Sequence, residues 1–267
     1  MTQPVAQVSV TNVSKVHIST KGEPLLALHE VNFEVGQNEF FSIVGPSGCG
    51  KTTLLNLLGG FEQPTRGELR VGGKLITAPG WERAVVFQEY ALFPWYTVSQ
   101  NIRYGLRRKR LPNAEQSKLV EHYIGLVGLR GFESRYPREL SGGMRQRVSI
   151  ARALAVNPSI LLMDEPFASL DVQTREYMQD ELLKIWQREP KTVIFVTHSI
   201  DEAIKLSDRI AIMAPRPGRI EEIKTVALER PRDPTNPAMV RLAAEVKVWM
   251  RQQVFAQDAT ADVHAAS

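Results

Sequence analysis

GPSGCGKTT at residues 45–53 decides how this 267-residue chain is read. Gly45 and Gly50 are followed at once by Lys51, Thr52 and Thr53, the spacing G-x-x-x-x-G-K-[ST] of a phosphate-wrapping loop. Small residues let successive backbone N–H groups converge on phosphate oxygens, where larger side chains would block them. Lys51 adds a point charge for the outer phosphates, and the Thr52 hydroxyl suits Mg²⁺, a hard cation that prefers oxygen. FFSIV at 40–44 is short, apolar and rich in β-branched and aromatic residues, so it reads as a buried strand. LLNLLGG at 54–60 reads as a helix, whose N-terminal dipole and free N–H groups favour an anion. Strand, loop and helix is the setting this motif needs.

Working outward, EVNFEV at 30–35 puts Val31, Phe33 and Val35 on one face, as in a half-buried antiparallel strand. GELRVGGKLIT at 67–77 predicts a hairpin turning at Gly72 and Gly73, and AVVFQ at 84–88 predicts a core strand ending at Gln88. From residue 90 the chain becomes aromatic and broken, ALFPWYTVSQNIRYGL, and helical patterns follow at 114–127 and 141–156. Beyond Pro158 the apolar runs ILLMD, TVIFVT and RIAIMA alternate with helical stretches at 172–188 and 201–206. That alternation predicts an α/β fold with a mainly parallel sheet. The expected organisation is a nucleotide-binding core at 1–89 and 158–230 with an antiparallel β-subdomain at its N-terminal end. A helical subdomain is inserted at 90–157, and a helical tail occupies 231–267. No long repeat and no coiled-coil heptad is present.

Bulk properties set limits. Apolar residues make up 43% and charged residues 23%, values that allow a sizeable core. A net charge of +4 is too small to indicate a partner. The run RRKR at 107–110 reads as a solvated face before it reads as a nucleic-acid or lipid contact. The N-terminus has no basic start followed by an apolar stretch, and no run approaches the ~20 apolar residues of a membrane span. Any spanning is therefore expected of other chains. Cys49 is the one cysteine, which suits a reducing compartment, and its place in the loop makes it an expected target for alkylation that would crowd out phosphates.

Further groups cluster around phosphate chemistry. ILLMDEP at 160–166 ends a strand in two carboxylates, and strand alternation predicts that Asp164 and Glu165 point to different sides. One can hold Mg²⁺ and the other can orient or deprotonate a water attacking the γ-phosphate. His198 and Gln88 end core strands, at the edge where open parallel sheets bind ligands. LSGGMRQR at 140–147 places an N-cap, Ser141, and two glycines, Gly142 and Gly143, before a helix, a second anion-binding helix start. It either completes a site on another copy of the chain or is simply a capped helix.

The ordered set GPSGCGKT, Gln88, LSGGMRQR, ILLMDEP, ASLD at 168–171 and His198 resembles the ATP-binding subunit of an ABC transporter, over roughly residues 8–230. LFPWYTVSQNI after Gln88 and PRPGRI at 215–220 resemble the nitrate/sulfonate/taurine importer branch. The resemblance implies ATP and Mg²⁺ as cofactors. Gly45, Pro46, Ser47, Gly48, Cys49, Gly50, Lys51, Thr52 and Thr53 would bind the phosphates. Thr52, Gln88 and Asp164 would serve Mg²⁺, Glu165 would be the general base, and His198 would contact the γ-phosphate. Ser141, Gly142, Gly143 and Asp171 would meet ATP across a head-to-tail pair formed with a second copy or a paralogous subunit. The family's adenine-stacking position falls on His17, and the commoner LSGGQ ends here in Met144. Permease subunits at the cytoplasmic face of the inner membrane, and indirectly a solute-binding protein, would be partners, and nucleic acid would not. Phe93, Trp95 and Tyr96 form an aromatic group that either fills core or receives a permease helix. A soluble ABC-type ATPase acting on nucleic acid is the alternative, but it lacks the coiled coils or second cassette that such relatives carry. A P-loop kinase is a third reading, against which LSGGMRQR and ASLD argue.

Overall fold

Strand β1 (Val8–Ile18) lies between β2 (Pro24–Val35) and the later β4 in an antiparallel sheet. These elements come from a computed structural model that describes residues 6–19 and 22–250. The period-two pattern of β2 is realised: Val31, Phe33 and Val35 are buried while their neighbours face solvent. β3 (Phe40–Val44) is buried at every position and runs into α1 (Lys51–Gly59). β4 (Arg66–Val71) and β5 (Lys74–Leu75) form the expected hairpin, closed by the pairs Arg70 with Leu75 and Val71 with Lys74. The two turn residues between them, Gly72 and Gly73, have φ of 53° and 76°, the left-handed pair that a two-residue hairpin needs. The order in this sheet is β2-β1-β4-β5.

Next come β6 (Arg83–Val86), α2 (Val98–Leu106), α3 (Asn113–Leu126), α4 (Gly142–Ala155), β7 (Ile160–Asp164) and α5 (Val172–Arg188). β6 and β7 pair in parallel, Ala84 opposite Leu161 and Val86 opposite Met163. The predicted strand 84–88 ends two residues early: Gln88 sits in a turn beyond β6 rather than at a strand end. β8 (Thr192–Thr197) is also buried throughout, and α6 (Ile200–Leu206), β9 (Arg209–Ala214), β10 (Arg219–Thr225) and α7 (residues 237–250) complete the order. β3 and β9 pair in parallel, whereas β10 returns antiparallel to β9. The remaining part of the expected tail, 251–267, lies outside the described residues.

The described chain divides into two units, one within 1–78 and 195–267 and the other 79–194. The first holds the four-stranded sheet, β3 with α1, and α6 to α7. Its core is aromatic where β3 begins: Phe33 stacks on Phe41 with centroids 5.3 Å apart, and Phe40 packs on Phe195 at 5.8 Å. The second unit holds the β6–β7 pair and helices α2 to α5. Phe40→Ala should destabilise the protein by about 3–5 kcal/mol, read as a lower urea midpoint at constant slope. A loss below about 1 kcal/mol would contradict this packing.

Candidate functional site

In the first unit the buried strand β3 delivers the chain directly into the loop 45–50. Gly50 is the N-cap of α1 at φ 95°, a conformation that a side chain would strain. No side chain caps α1 and no acid occupies its first turn. By contrast, Thr97, Ser141, Asp171 and Ser199 cap α2, α4, α5 and α6. The start of α1 thus has no side-chain acceptor or acid to compete with an anion. A Cβ on Gly45 would stand 2.6 Å from the Met213 carbonyl oxygen and 2.6 Å from Cys49 Sγ, so the loop lies flat on β9. Lys51 is 6% exposed, and its Nζ donates to the carbonyls of Gly45 (2.9 Å) and Pro46 (3.0 Å). Its charge is therefore held against the loop that it is expected to serve. Ser47, Gly48 and Thr52 are exposed, while Thr53 is half-buried.

One wall of the loop was not read from the local pattern. Gly218, between β9 and β10, exchanges backbone bonds with β2: its N–H donates to Ala27 O (3.0 Å) and its carbonyl accepts from His29 N (2.9 Å). A side chain there would collide with the Cys49 carbonyl. The PRPGRI segment thus supports the loop from behind. His17, on β1, brings Nε2 to 3.5 Å from Thr53 Oγ1 and Nδ1 to 3.8 Å from Glu62. Burial opposes ionisation of Glu62, but bonds from Asn56 and Lys15 and the charges of Lys15 and His17 hold its carboxyl below the usual range. The imidazole edge is thus directed at α1 and Glu62. His198 is exposed and follows the last residue of β8.

Residues 79–194 hold Gln88, Asp164, Glu165, Ser141, Gly142, Gly143 and Asp171. Asp164 is the last residue of β7, but Glu165 lies beyond the strand at φ 42°. The two carboxylates are therefore separated by a left-handed backbone turn and not by strand alternation. The Glu165 carbonyl accepts from Ala168 N at 3.1 Å and closes that turn. A non-glycine residue held there costs on the order of 1–3 kcal/mol, and such strain collects at functional sites.

The structure brings LSGG and ASLD together. Ser141 Oγ caps α4 at Met144 N (3.3 Å), and Asp171 caps α5 at Thr174 N (2.9 Å). That backbone N–H and the Thr174 hydroxyl hold the Asp171 carboxyl below its ordinary range. A Cβ on Gly143 would press on Thr174 Cγ2 at 2.9 Å, and one on Gly142 would stand 3.1 Å from Tyr90 Oη. The same hydroxyl bonds Ser169 Oγ at 2.8 Å. Two arginines of α4 hold the segment after Gln88: Arg145 lies over the Tyr90 ring, and Arg152 donates to Ala91 O (2.7 Å) and Tyr90 O (3.3 Å). Burial pushes the Arg152 guanidinium below its ordinary pKa. Sequence reasoning gave Tyr90 and Arg152 no role, because their partners lie about sixty residues away.

The sequence profile described as ABC transporter matches residues 28–168. The chain belongs to the ABC transporter family. An uncharacterized ABC transporter ATP-binding protein of Methanocaldococcus jannaschii is 53% identical over 249 residues, 93% of each chain. A taurine import ATP-binding protein of Pelagibacter ubique is 48% identical over 79% of this chain and 80% of its own. Bicarbonate and nitrate import ATP-binding proteins of Synechocystis are 46% and 44% identical, covering 85% and 82% of this chain and 82% of each of theirs. A solved dimer of an ATP-binding cassette in a post-hydrolysis state, bound to ADP and Pi, matches with a TM-score of 0.72 and 33% identity, over 83% of this chain and 100% of that one. The chain is thus an ABC ATPase of the nitrate/sulfonate/taurine importer branch, with the α/β P-loop fold, and its substrate is ATP.

No cluster of three or more His, Cys, Asp or Glu fit to hold a metal occurs among the described residues. Mg²⁺ commonly takes one or two protein oxygens and completes its shell with phosphates and water, and in the first unit the exposed Thr52 hydroxyl is an oxygen of that kind. Cys49 corrects the expectation of an accessible thiol: it is 0% exposed, beneath the loop. Native protein should react with iodoacetamide far more slowly than protein unfolded in urea. Equal rates in the two states would contradict the burial.

Proposed function

We propose that this ATPase energises import of a small oxyanion-bearing solute through separate membrane permease subunits. The solute class rests on relatives whose names specify taurine, bicarbonate and nitrate, all small solutes carrying an oxyanion. No helix among the described residues is long and apolar enough to cross a membrane, so the transport path is assigned to other chains. The protein works peripherally at the cytoplasmic face of that membrane, alongside a solute-binding protein that the permease meets.

The observation that carries the transport reading is a fixed, exposed aromatic group just after Gln88. Trp95 is 66% exposed, and Phe93 gathers Trp95, Tyr96 and Tyr104 at centroid distances of 5.7, 5.4 and 4.7 Å. Asn101, fully buried on α2, accepts from Phe93 N and donates to the carbonyls of Phe93, Tyr96 and Thr97, at 3.0–3.2 Å. A rigid aromatic surface of this kind suits a short helix from a membrane subunit.

In the mechanism, the loop 45–53 and Lys51 hold the phosphates and His17 stacks on adenine. Thr52, Asp164 and Gln88 would hold Mg²⁺, which when bound would neutralise phosphate charge. Glu165 takes the proton of the attacking water, and His198 contacts the γ-phosphate. Ser141, Gly142, Gly143 and Asp171 close the site from a second copy in a head-to-tail dimer. Gln88 and the adjoining aromatic group pass the state of the site to the permease. In this scheme 1–89 with 158–230 is the nucleotide-binding core, 90–157 the helical subdomain that meets the permease, and 231–267 the tail. Trp95→Ala should abolish co-purification with co-expressed permease subunits while ATP binding and folding persist. Unchanged association would refute the docking surface.

A further inference from the structure

His198 sits on a turn that cannot reorient by itself. Thr197 Oγ1 donates to Glu202 Oε2 (2.7 Å) and accepts from Ser199 N (3.0 Å), and Ser199 Oγ caps α6 at Glu202 N (3.3 Å). The turn and α6 therefore form one piece. α6 has seven residues, too few to hold a position by helix propensity alone, so its placement comes from what packs on it.

What packs on it is the stretch from residue 226 to residue 250. At the C-terminal end of α6, Arg232 is 7% exposed and donates from Nη1 to Ile204 O (2.6 Å), Ser207 O (2.6 Å) and, more distantly, Lys205 O (3.5 Å). Its Nη2 donates to Val226 O (3.1 Å) and its Nε to Leu228 O (2.9 Å). Arg230 adds a bond to Leu206 O and one to Asp208 Oδ1, each 2.6 Å. Two guanidiniums thus satisfy the carbonyls that a helix C-terminus leaves open. Burial and the like charge of Arg230 push Arg232 down to about 10, against the pull of Asp208, so it remains a cation at neutral pH. At the other end, Lys247 of α7 makes two 2.9 Å contacts to the carboxylate of Asp201, in the first turn of α6 and three residues from His198. Between these ends Ile200, Ala203 and Ile204 pack with Met239, Ala243 and Val246, and with Val44, the residue that precedes the phosphate loop.

We infer that residues 226–250 are a brace that positions His198 for ATP hydrolysis, with Arg232 and Lys247 as its positioning residues. This rests on the role given to His198 above. A tail that only needed covering could be held by apolar contacts. A buried arginine aimed solely at backbone carbonyls is a costly way to pack and an effective way to fix a helix end in space. The Lys247–Asp201 pair makes the distinction measurable. It is exposed, so it contributes little to global stability, and it links α7 directly to the turn of α6 nearest His198.

The test uses the full chain with its permease, or the isolated ATPase where that hydrolyses ATP. Lys247→Glu should lower kcat about tenfold, within the range that ångström-scale misplacement produces, with KM for ATP and the urea midpoint nearly unchanged. Adding Asp201→Lys should restore kcat to within roughly twofold by reversing the pair. Arg232→Lys should lower kcat as well, because an ammonium cannot span the carbonyls. In a His198→Ala background, Lys247→Glu should produce no further loss in single-turnover rate, since a misplaced side chain that is absent has no effect. Unchanged kcat in both Lys247→Glu and Arg232→Lys, or additive losses with His198→Ala, would overturn the brace. Full turnover in His198→Ala alone would instead overturn the role of His198, and the brace with it.

Discussion

The rest of the structure depends on a helix start left without a cap. α1 begins at Gly50 with no side-chain acceptor and no acid in its first turn, at the end of a strand buried along its whole length. Uncapped N–H groups at a fixed, partly covered place are unfavourable unless a ligand or water meets them. Lys51 adds a nearly buried ammonium held by two loop carbonyls. Donors and charge are thus gathered at one place in the chain, the loop and the first turn of α1. Gly45 against Met213, and Gly218 against Cys49, keep the loop pressed on its support.

The other unit is organised differently. Three of its four helix starts carry a side-chain cap: Thr97 caps α2, Ser141 caps α4 and Asp171 caps α5, while α3 starts at Pro112 without one, and Gly143 lets α4 and α5 meet at Thr174. The glycines of LSGG therefore have an intrachain packing role, beside the role at a second nucleotide proposed above. Tyr90 ties this cluster to the stretch after Gln88. A displacement of α4 would thus be felt at the segment bearing the exposed aromatic group. In the same region Arg107 lies over Tyr104 and Arg108 over Trp81.

Much was legible because it is local. Periodicity and caps placed α3, α4 and α5 to within a residue, and the glycine pair placed the β4–β5 hairpin. What escaped depends on partners far along the chain. β10 is largely polar and half-exposed, so RIEEIKT lacks a strand signature, and it exists because β9 offers an edge. α2 lies in an aromatic stretch whose breakers mask it, and only the Thr97–Gln100 capping box and buried Asn101 define its start. Glu165 reads as one more strand residue until its backbone turns left-handed. The site residues were legible as motifs, but the means that hold them (Gly218, Arg152, Arg232) were not, since each acts on carbonyls or close contacts that no spacing encodes.

Completion of the ATP site by a second copy of the chain is the proposal on which the dimer rests. The most direct measurement is the mass of Glu165→Gln by analytical ultracentrifugation, with and without saturating MgATP. Loss of the general base should slow turnover by about 10²–10⁴-fold and trap the ATP-bound state. Glu165→Gln should be a monomer without nucleotide and a stable dimer with it. A variant that binds ATP and stays monomeric at saturation would contradict the account.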